Sequence, residues 1–418
     1  MRSFSADGLP RGLWLVVLGI LLNYLGYGAV LPFEVIYLHD GRGFSLGAAG
    51  LTVGLVTGVA VVAAPLAGPL IDRFGARAVA AVAGVALAAG YAGLAFAASP
   101  APAFLAAAVA GAGNGALNPS QSTLVATLAP AHLRHRATGL SRVAANVGAA
   151  GGAGLGGLVA ARGLPGFIGL YVVNGLTYLG YVAILLAAVP GSDRPGDGRP
   201  EAVAGRYRTV ARDRAFVQLA LVNLAMIAVG WGVFTWLVPP YAQNRLGVDA
   251  RLIGVLLLAN AATVAVAQLP VARFAEGRRR VVMVAAAAGT FVVACGLVLL
   301  ARPGVGYPLV LVACVLVGIG ECLHTTVLMP LVADLAPAGL RGRYMASMGL
   351  SWWAGLAVAP ALGAQLLAVS GTATFAVSAV LALAAGVGAL SMEPRIPVGA
   401  RLTPGGPRVT TGLGRWNA

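Results

Sequence analysis

Apolar runs of about 18 to 25 residues recur along this whole chain, the one opening YPLVLVACVLVGIG at Tyr307 among them, and no other feature restricts its fold as much. A helix of that length crosses a hydrocarbon layer ~30 Å thick. Buried strands would give shorter runs, and an outer-membrane barrel would give an alternating pattern; neither is present. Composition agrees, because only 10% of the 418 residues are charged and 59% are hydrophobic, whereas a soluble chain carries about a quarter charged. The chain reads as an all-α, polytopic membrane protein.

Arg, Asp, Pro and Gly punctuation separates twelve candidate spans, near 12–37, 47–71, 78–98, 102–125, 136–161, 165–189, 214–240, 250–272, 280–301, 307–333, 342–369 and 372–391. The one long polar stretch inside the chain, 190–213, divides them into two six-helix bundles, 12–189 and 214–392. An N-tail (1–11) and a Gly/Pro-rich C-tail (393–418), expected to be disordered, flank them. The N-tail runs into the first span without a small-residue cleavage site, so that span is expected to remain as an anchor.

All 28 basic residues are arginine. With both termini on one side, 22 of them fall on that side and five on the other, with Arg142 inside span 5. The positive-inside rule then puts both termini in the cytoplasm of a cell (inner) membrane. The net charge of +15 is thus a rim facing an anionic leaflet. The bilayer, not nucleic acid, is the expected partner. Cys295, Cys314 and Cys322 all lie in apolar runs with no metal-ligand or disulfide spacing. No cofactor and no metal is expected, and no nucleophile, nucleotide loop or metal cluster stands in a context suited to an enzyme.

Shifted by 207 residues, the chain pairs with itself. LAPAHLRHR (128–136) lies over LAPAGLRGR (335–343), GAGN (111–114) over GIGE (318–321), and Gly148 and Gly156 meet Gly355 and Gly363. Parallel repeats of this kind place a substrate site near the bilayer midplane, between the halves.

Two six-helix repeats joined by a basic linker resemble the major facilitator superfamily of secondary transporters. The loop GPLIDRFGAR (68–77) matches that superfamily's signature G-x-L-x-D-R-x-G-x-R at every fixed place. Gly68 suits close helix approach and Gly75 a tight turn. By resemblance, Asp72, Arg73 and Arg77 latch the outward-facing state across the cytoplasmic gap. Span 5 is similar to the antiporter pattern G-x8-G-x3-G-P-x2-G-G: Gly139, Gly148, Gly152, Gly156 and Gly157 fit, and Ala153 replaces the proline. Glycines so spaced let helices touch backbone to backbone. Antiport is favoured over symport, with the kink of the missing proline lost. Gly152, Gly154 and Gly157 also spell GxGxxG, an accidental match without a βαβ context. The arginine that drug/proton antiporters often carry in span 4 is absent, Ala107 standing at its place, so if protons drive transport, other groups must carry them.

Of the 13 acidic residues only Glu34 and Glu321 fall inside spans, with Asp334 at a boundary. A charge at mid-bilayer costs ~2.5–3.5 kcal/mol on insertion scales, which explains the scarcity. The 207-residue shift pairs Glu321 with Asn114, and the resemblance implies that spans 1, 4, 7 and 10 line the cavity. Shielded from water, a carboxyl keeps its proton; hydrated, it releases it. Glu321 is therefore the expected proton-coupling group. His324, three residues on, either relays the proton or forms a static hydrogen bond with Glu321. Glu34, beyond Pro32, is either a cavity-mouth residue in the same proton pathway or simply exposed. Arg142 is an inner-gate charge that either pairs structurally or snorkels to the cytoplasm. Asn23, Tyr24, Tyr27, Asn114, Asn118, Gln121, Asn223 and Trp231 are the expected substrate-cavity residues, with Asn146, Asn260, Trp352 and Trp353 behind them. The expectation is a monomeric, proton-coupled exporter of hydrophobic or amphiphilic small molecules. The alternatives are a transporter of one metabolite, such as a sugar or siderophore, and a non-transporting sensor or scaffold.

Overall fold

A computed structural model describes residues 9–130, 133–189, 207–337 and 340–403. The first half holds α1 (Arg11–Gly41), α2 (Leu46–Phe74), α3 (Ala76–Phe96), α4 (Pro100–Leu128), α5 (Arg134–Ala160) and α6 (Leu164–Ala188). The second holds α7 (Arg214–Trp236), α8 (Ala250–Ala275), α9 (Arg280–Leu300), α10 (Tyr307–Leu335), α11 (Arg343–Val369) and α12 (Gly371–Ser391). Among the described residues, eleven helices are long and apolar enough to cross a membrane. The remaining long helix, α4, has 29 residues but carries Asn114, Asn118, Ser120, Gln121 and Ser122 in its second half. Large apolar side chains such as Val62, Leu105, Leu176, Leu221, Val266 and Val380 point outward, as a surface solvated by lipid requires.

Several helices start where a side chain answers their first free N–H groups. Ser45 accepts from Ala48 N at α2, Asp213 from Ala215 N and Phe216 N at α7, Asp249 from Arg251 N at α8, and Ser370 from Ala373 N at α12. Gly75, at φ +83°, ends α2 and starts α3 within one residue. Three long helices change pitch. Pro32 sits in a 3₁₀ turn of α1 (Leu31–Phe33), Ala228–Val233 of α7 widens to a π turn, and Ala359–Gly363 of α11 does the same around Pro360.

The repeat is visible in the packing. Gly111 of α4 touches the Val56 carbonyl of α2, and its partner Gly318 of α10 touches the Asn260 carbonyl of α8. Gly148 of α5 lies on the Leu21 carbonyl of α1, and Gly355 of α11 on that of Leu224 of α7. The halves meet through α2 against α11, where Gly50 faces Ala364 and the Pro360 carbonyl, and through α5 against α8, where Gly157 faces Gly254. Four hydrogen bonds join the halves at the face remote from the chain termini: Trp236 Nε1 to Glu34 Oε2 (2.9 Å), Gln243 Nε2 and Asn244 Nδ2 to Asp40 (3.2 Å each), and Gln365 Nε2 to the Gly47 carbonyl (3.0 Å). That face is closed.

The expectation of a disordered C-tail is corrected for residues 393–403. Ile396 and Ala400 are buried, Glu393 pairs with Arg279, and Arg395 donates to Gln218. Backbone bonds join Arg280 N to the Arg401 carbonyl and Thr403 N to the Arg278 carbonyl, both 2.9 Å. Two apolar anchors and a partner backbone outweigh the Gly/Pro composition, which belongs mostly to 404–418. Those residues, like 1–8 and linker positions 190–206, lie outside the described residues; the rest of the linker forms a short helix, Tyr207–Arg212, ahead of α7.

Candidate functional site

Two cavities lie at the level of the mid-helix polar residues. The larger, about 250 Å³, runs between the halves and is bordered by Gly28 and Leu31 of α1, Asn146 and Ala150 of α5, Trp231 and Phe234 of α7, Asn260 of α8, and Cys314 and Glu321 of α10. Its walls are mainly apolar. Glu321 is 8% exposed, enough to meet the cavity and no more. Its Oε1 accepts from Asn260 Nδ2 at 3.2 Å, and the same Nδ2 reaches the Cys314 carbonyl at 3.2 Å. One face of α10 is thereby tied to α8 through Glu321 itself.

His324 turns elsewhere. It is fully buried, its Nε2 2.9 Å from Asn223 Oδ1, and Asn223 Nδ2 donates to Ser351 Oγ at 2.7 Å. This chain clasps α10, α7 and α11 inside the second half. Of the two roles expected of His324, the static hydrogen bond to Glu321 is therefore replaced by two separate partnerships, and the relay finds no direct Glu321–His324 contact. A three-residue step turns a helix by about 300°, and here that residual angle separates a neighbour on α8 from one on α7. Asn223 is likewise corrected: it is fully buried behind the wall, bonded on both sides, and does not border the cavity. Trp231 does, packed on Trp352 with ring centroids 4.9 Å apart and 6.1 Å from the His324 ring.

The first half gathers its candidates in one place. Asn23, Tyr24 and Tyr27 of α1 and Asn114, Asn118 and Gln121 of α4 border a second cavity of about 70 Å³, closed by Tyr178 of α6 and Trp353 of α11. Tyr24 Oη donates to Asn118 Oδ1 (3.3 Å) and Asn118 Nδ2 to Asn114 Oδ1 (3.4 Å). The i, i+4, i+7 spacing of the three α4 residues puts them on one face. Tyr24, Asn118 and Gln121 also border a third cavity of about 200 Å³ that extends toward the terminal face past Ser141 and Arg142. Arg142 has no ion-pair partner among the described residues, so of its two expected roles the structural pairing is absent.

The sequence profile of the Major Facilitator Superfamily matches residues 16–249 and 219–417. The chain belongs to the Major Facilitator Superfamily. It is a multi-pass membrane transporter of that fold, and its relatives are transporters, not enzymes. Over 341 residues it is 26% identical to the uncharacterized MFS-type transporter YqjV of Bacillus subtilis, covering 81% of this chain and 82% of that one. Over 349 residues it is 30% identical to the multidrug resistance protein MdtH of Aeromonas salmonicida, covering 80% and 82%. A crystal structure of the peptide transporter POT in complex with alafosfalin superposes with a TM-score of 0.80 at 17% identity, covering 95% and 97%. A bacterial homolog of the human lysosomal transporter Spinster, inward-facing and occupied, superposes at 0.75 with 14% identity over 94% and 98%.

The superfamily's signature loop is built here but not engaged across the halves. Gly75 makes the turn; Gly68 faces open space. Arg77 Nη2 donates to the Leu186 carbonyl at the end of α6, 2.8 Å away, and Arg73 lies 5.1 Å from the Phe74 ring. Asp72 and Arg73 have no ion-pair partner among the described residues. In the antiporter pattern, Gly148, Gly152 and Gly156 each lie on a carbonyl of α1, Gly157 meets α8, and Gly139 faces open space. Glu34 is neither exposed nor at a mouth. It is 4% exposed, between the halves, and accepts from Trp236 Nε1. Sequence reading missed Trp236, Asp40, Gln243 and Gln365, since none interrupts an apolar run as an unpaired charge does.

Proposed function

We propose that the chain exports hydrophobic or amphiphilic small molecules across the cell membrane in exchange for protons, with Glu321 carrying the proton. The observation that carries this reading is a carboxyl on the wall of an apolar cavity between the two halves, hydrogen-bonded by one neutral amide and facing no cation there. In the proposed cycle the face remote from the termini is the outside. Both termini lie in the cytoplasm, all twelve helices including α4 cross the bilayer, and one chain suffices. With the outer face closed, water entering from the cytoplasm favours the Glu321 carboxylate, and the proton leaves inward. The emptied, negative cavity then favours an amphiphile, including cationic ones drawn to the carboxylate or to the ring faces of Trp231 and Trp352. Rocking of the halves delivers substrate outward, and a new proton replaces it on Glu321. The likeness to MdtH, a multidrug resistance protein, supports this substrate range.

A second reading, transport of one metabolite, draws support from the polar cluster on α1 and α4, which is more than a purely apolar substrate needs. Purified protein in proteoliposomes tests both. Under an imposed pH gradient the wild type should concentrate a lipophilic dye, and Glu321→Gln should lose the dependence on the gradient while retaining exchange of dye for dye. Full gradient dependence in Glu321→Gln removes the proton from this residue. Dye-independent uptake of a single sugar or siderophore establishes the second reading, and binding without flux would make the chain a sensor.

A further inference from the structure

The polar wall of the first half leaves two groups unanswered. Asn23 Oδ1 on α1 and Gln121 Nε2 on α4 belong to residues that border the same cavity, 3% and 6% exposed, and neither atom makes a hydrogen bond among the described residues, although Tyr181 Oη lies beside Gln121 outside hydrogen-bond geometry. A buried polar atom left unpaired costs ~1–3 kcal/mol, and here two occur on facing helices around one space. Their neighbours do not compensate, because Tyr24, Asn118 and Asn114 bond one another in sequence.

Among the described residues no charged side chain borders this cavity; Arg142 borders only the adjoining one. A cation or anion placed there would lack a counterion, and a purely apolar group would leave both amides unpaired. A single group that donates and accepts satisfies them together. A carboxamide does so, its N–H donating to Asn23 Oδ1 and its carbonyl accepting from Gln121 Nε2. Its plane also suits a slot walled by Tyr27, Tyr178 and Trp353. The wider cavity beside Trp231 and Glu321 lies across α1, where Tyr27 borders one space and Gly28 the other.

Resting on the transport reading above, we infer that this cavity is a subsite for an uncharged amide-like group of the transported amphiphile, with Asn23 and Gln121 as its hydrogen-bonding partners.

The test is equilibrium binding to the full-length protein in nanodiscs at fixed pH, with 2-naphthamide and N,N-dimethyl-2-naphthamide as probes. The second probe keeps the acceptor and loses the donor. The wild type should bind the primary amide about tenfold more tightly. Asn23→Leu should bring the ratio to within about threefold, and Gln121→Leu should weaken both probes together. Equal affinities in the wild type, or no binding of 2-naphthamide, overturn the subsite and leave water as the partner of the two amides. So does an undiminished ratio in a folded Asn23→Leu protein. If that variant fails to fold, the wild-type ratio alone decides. Selective binding without proton-driven flux would keep the subsite and end the export reading.

Discussion

Glu34 shows how little a side chain's place in the sequence says about its partner. Its carboxyl, buried between the halves, accepts from the indole of Trp236, 202 positions away. Leaving a buried polar group unpaired costs about 1–3 kcal/mol, so this single bond weighs on the closure of the face remote from the termini. Trp236→Phe keeps the ring packing and removes the N–H. Spin labels at the exposed positions 162 and 245 of that face, one on each half, should then show the longer-distance population rising roughly tenfold. An unchanged distribution would mean the bond is incidental. Glu34 and Glu321 were legible because a carboxyl in a lipid-length run is conspicuous against its cost. Trp236, Gln243 and Gln365 were not, since their meaning lies in who faces them across the interface. The separate bonding of Glu321 and His324 was also illegible, because it depends on where α7 and α8 flank α10.

At the scale of elements, the glycines of α5 were legible as a pattern but not as a contact. Spacing announced a smooth helix face; only packing shows that α1 lies on Gly148, Gly152 and Gly156, that Gly157 meets α8, and that Gly139 meets nothing within 4 Å. Gly152→Val places a branched side chain on the Leu25 carbonyl and should cost about 1–3 kcal/mol by overpacking. It should lower the thermal unfolding midpoint in detergent, whereas Gly139→Val should leave it nearly unchanged. Equal effects of the two would show that the contact is not what the pattern protects. The proline missing at Ala153 also has a visible result: α5 runs unbroken from Arg134 to Ala160, while its counterpart α11 widens around Pro360. The element boundaries were legible to within a few residues, because arginine, glycine and capping side chains mark them. The extension of α1 to Gly41 was not, because Asp40 and His39 read as loop.

For the whole molecule, the remote face is bonded shut while Asp72 and Arg73 of the signature loop have no ion-pair partner among the described residues. Any effect of Asp72 must then arise in the other conformation, in which its half approaches its partner at the terminal face. Asp72→Asn should leave the closed remote face intact, deplete the population open at that face and slow transport. The same pair of spin labels would read it, and an increase in the outer distance would contradict the assignment. The two-bundle plan and its axis of repetition were legible in the 207-residue offset. Which face is closed was not, because both states use the same sequence.

The polar second half of α4 has one more consequence, for how the protein is made. A helix carrying two asparagines and a glutamine on one face partitions into lipid less readily than its neighbours as it leaves the ribosome, since each buried amide must find a partner. Its small-residue contacts with α2 and α3 at Gly111 and Gly113 offer a sheltered berth. The N-terminal bundle is thus built to integrate as a group, the reluctant member escorted in by those translated before it.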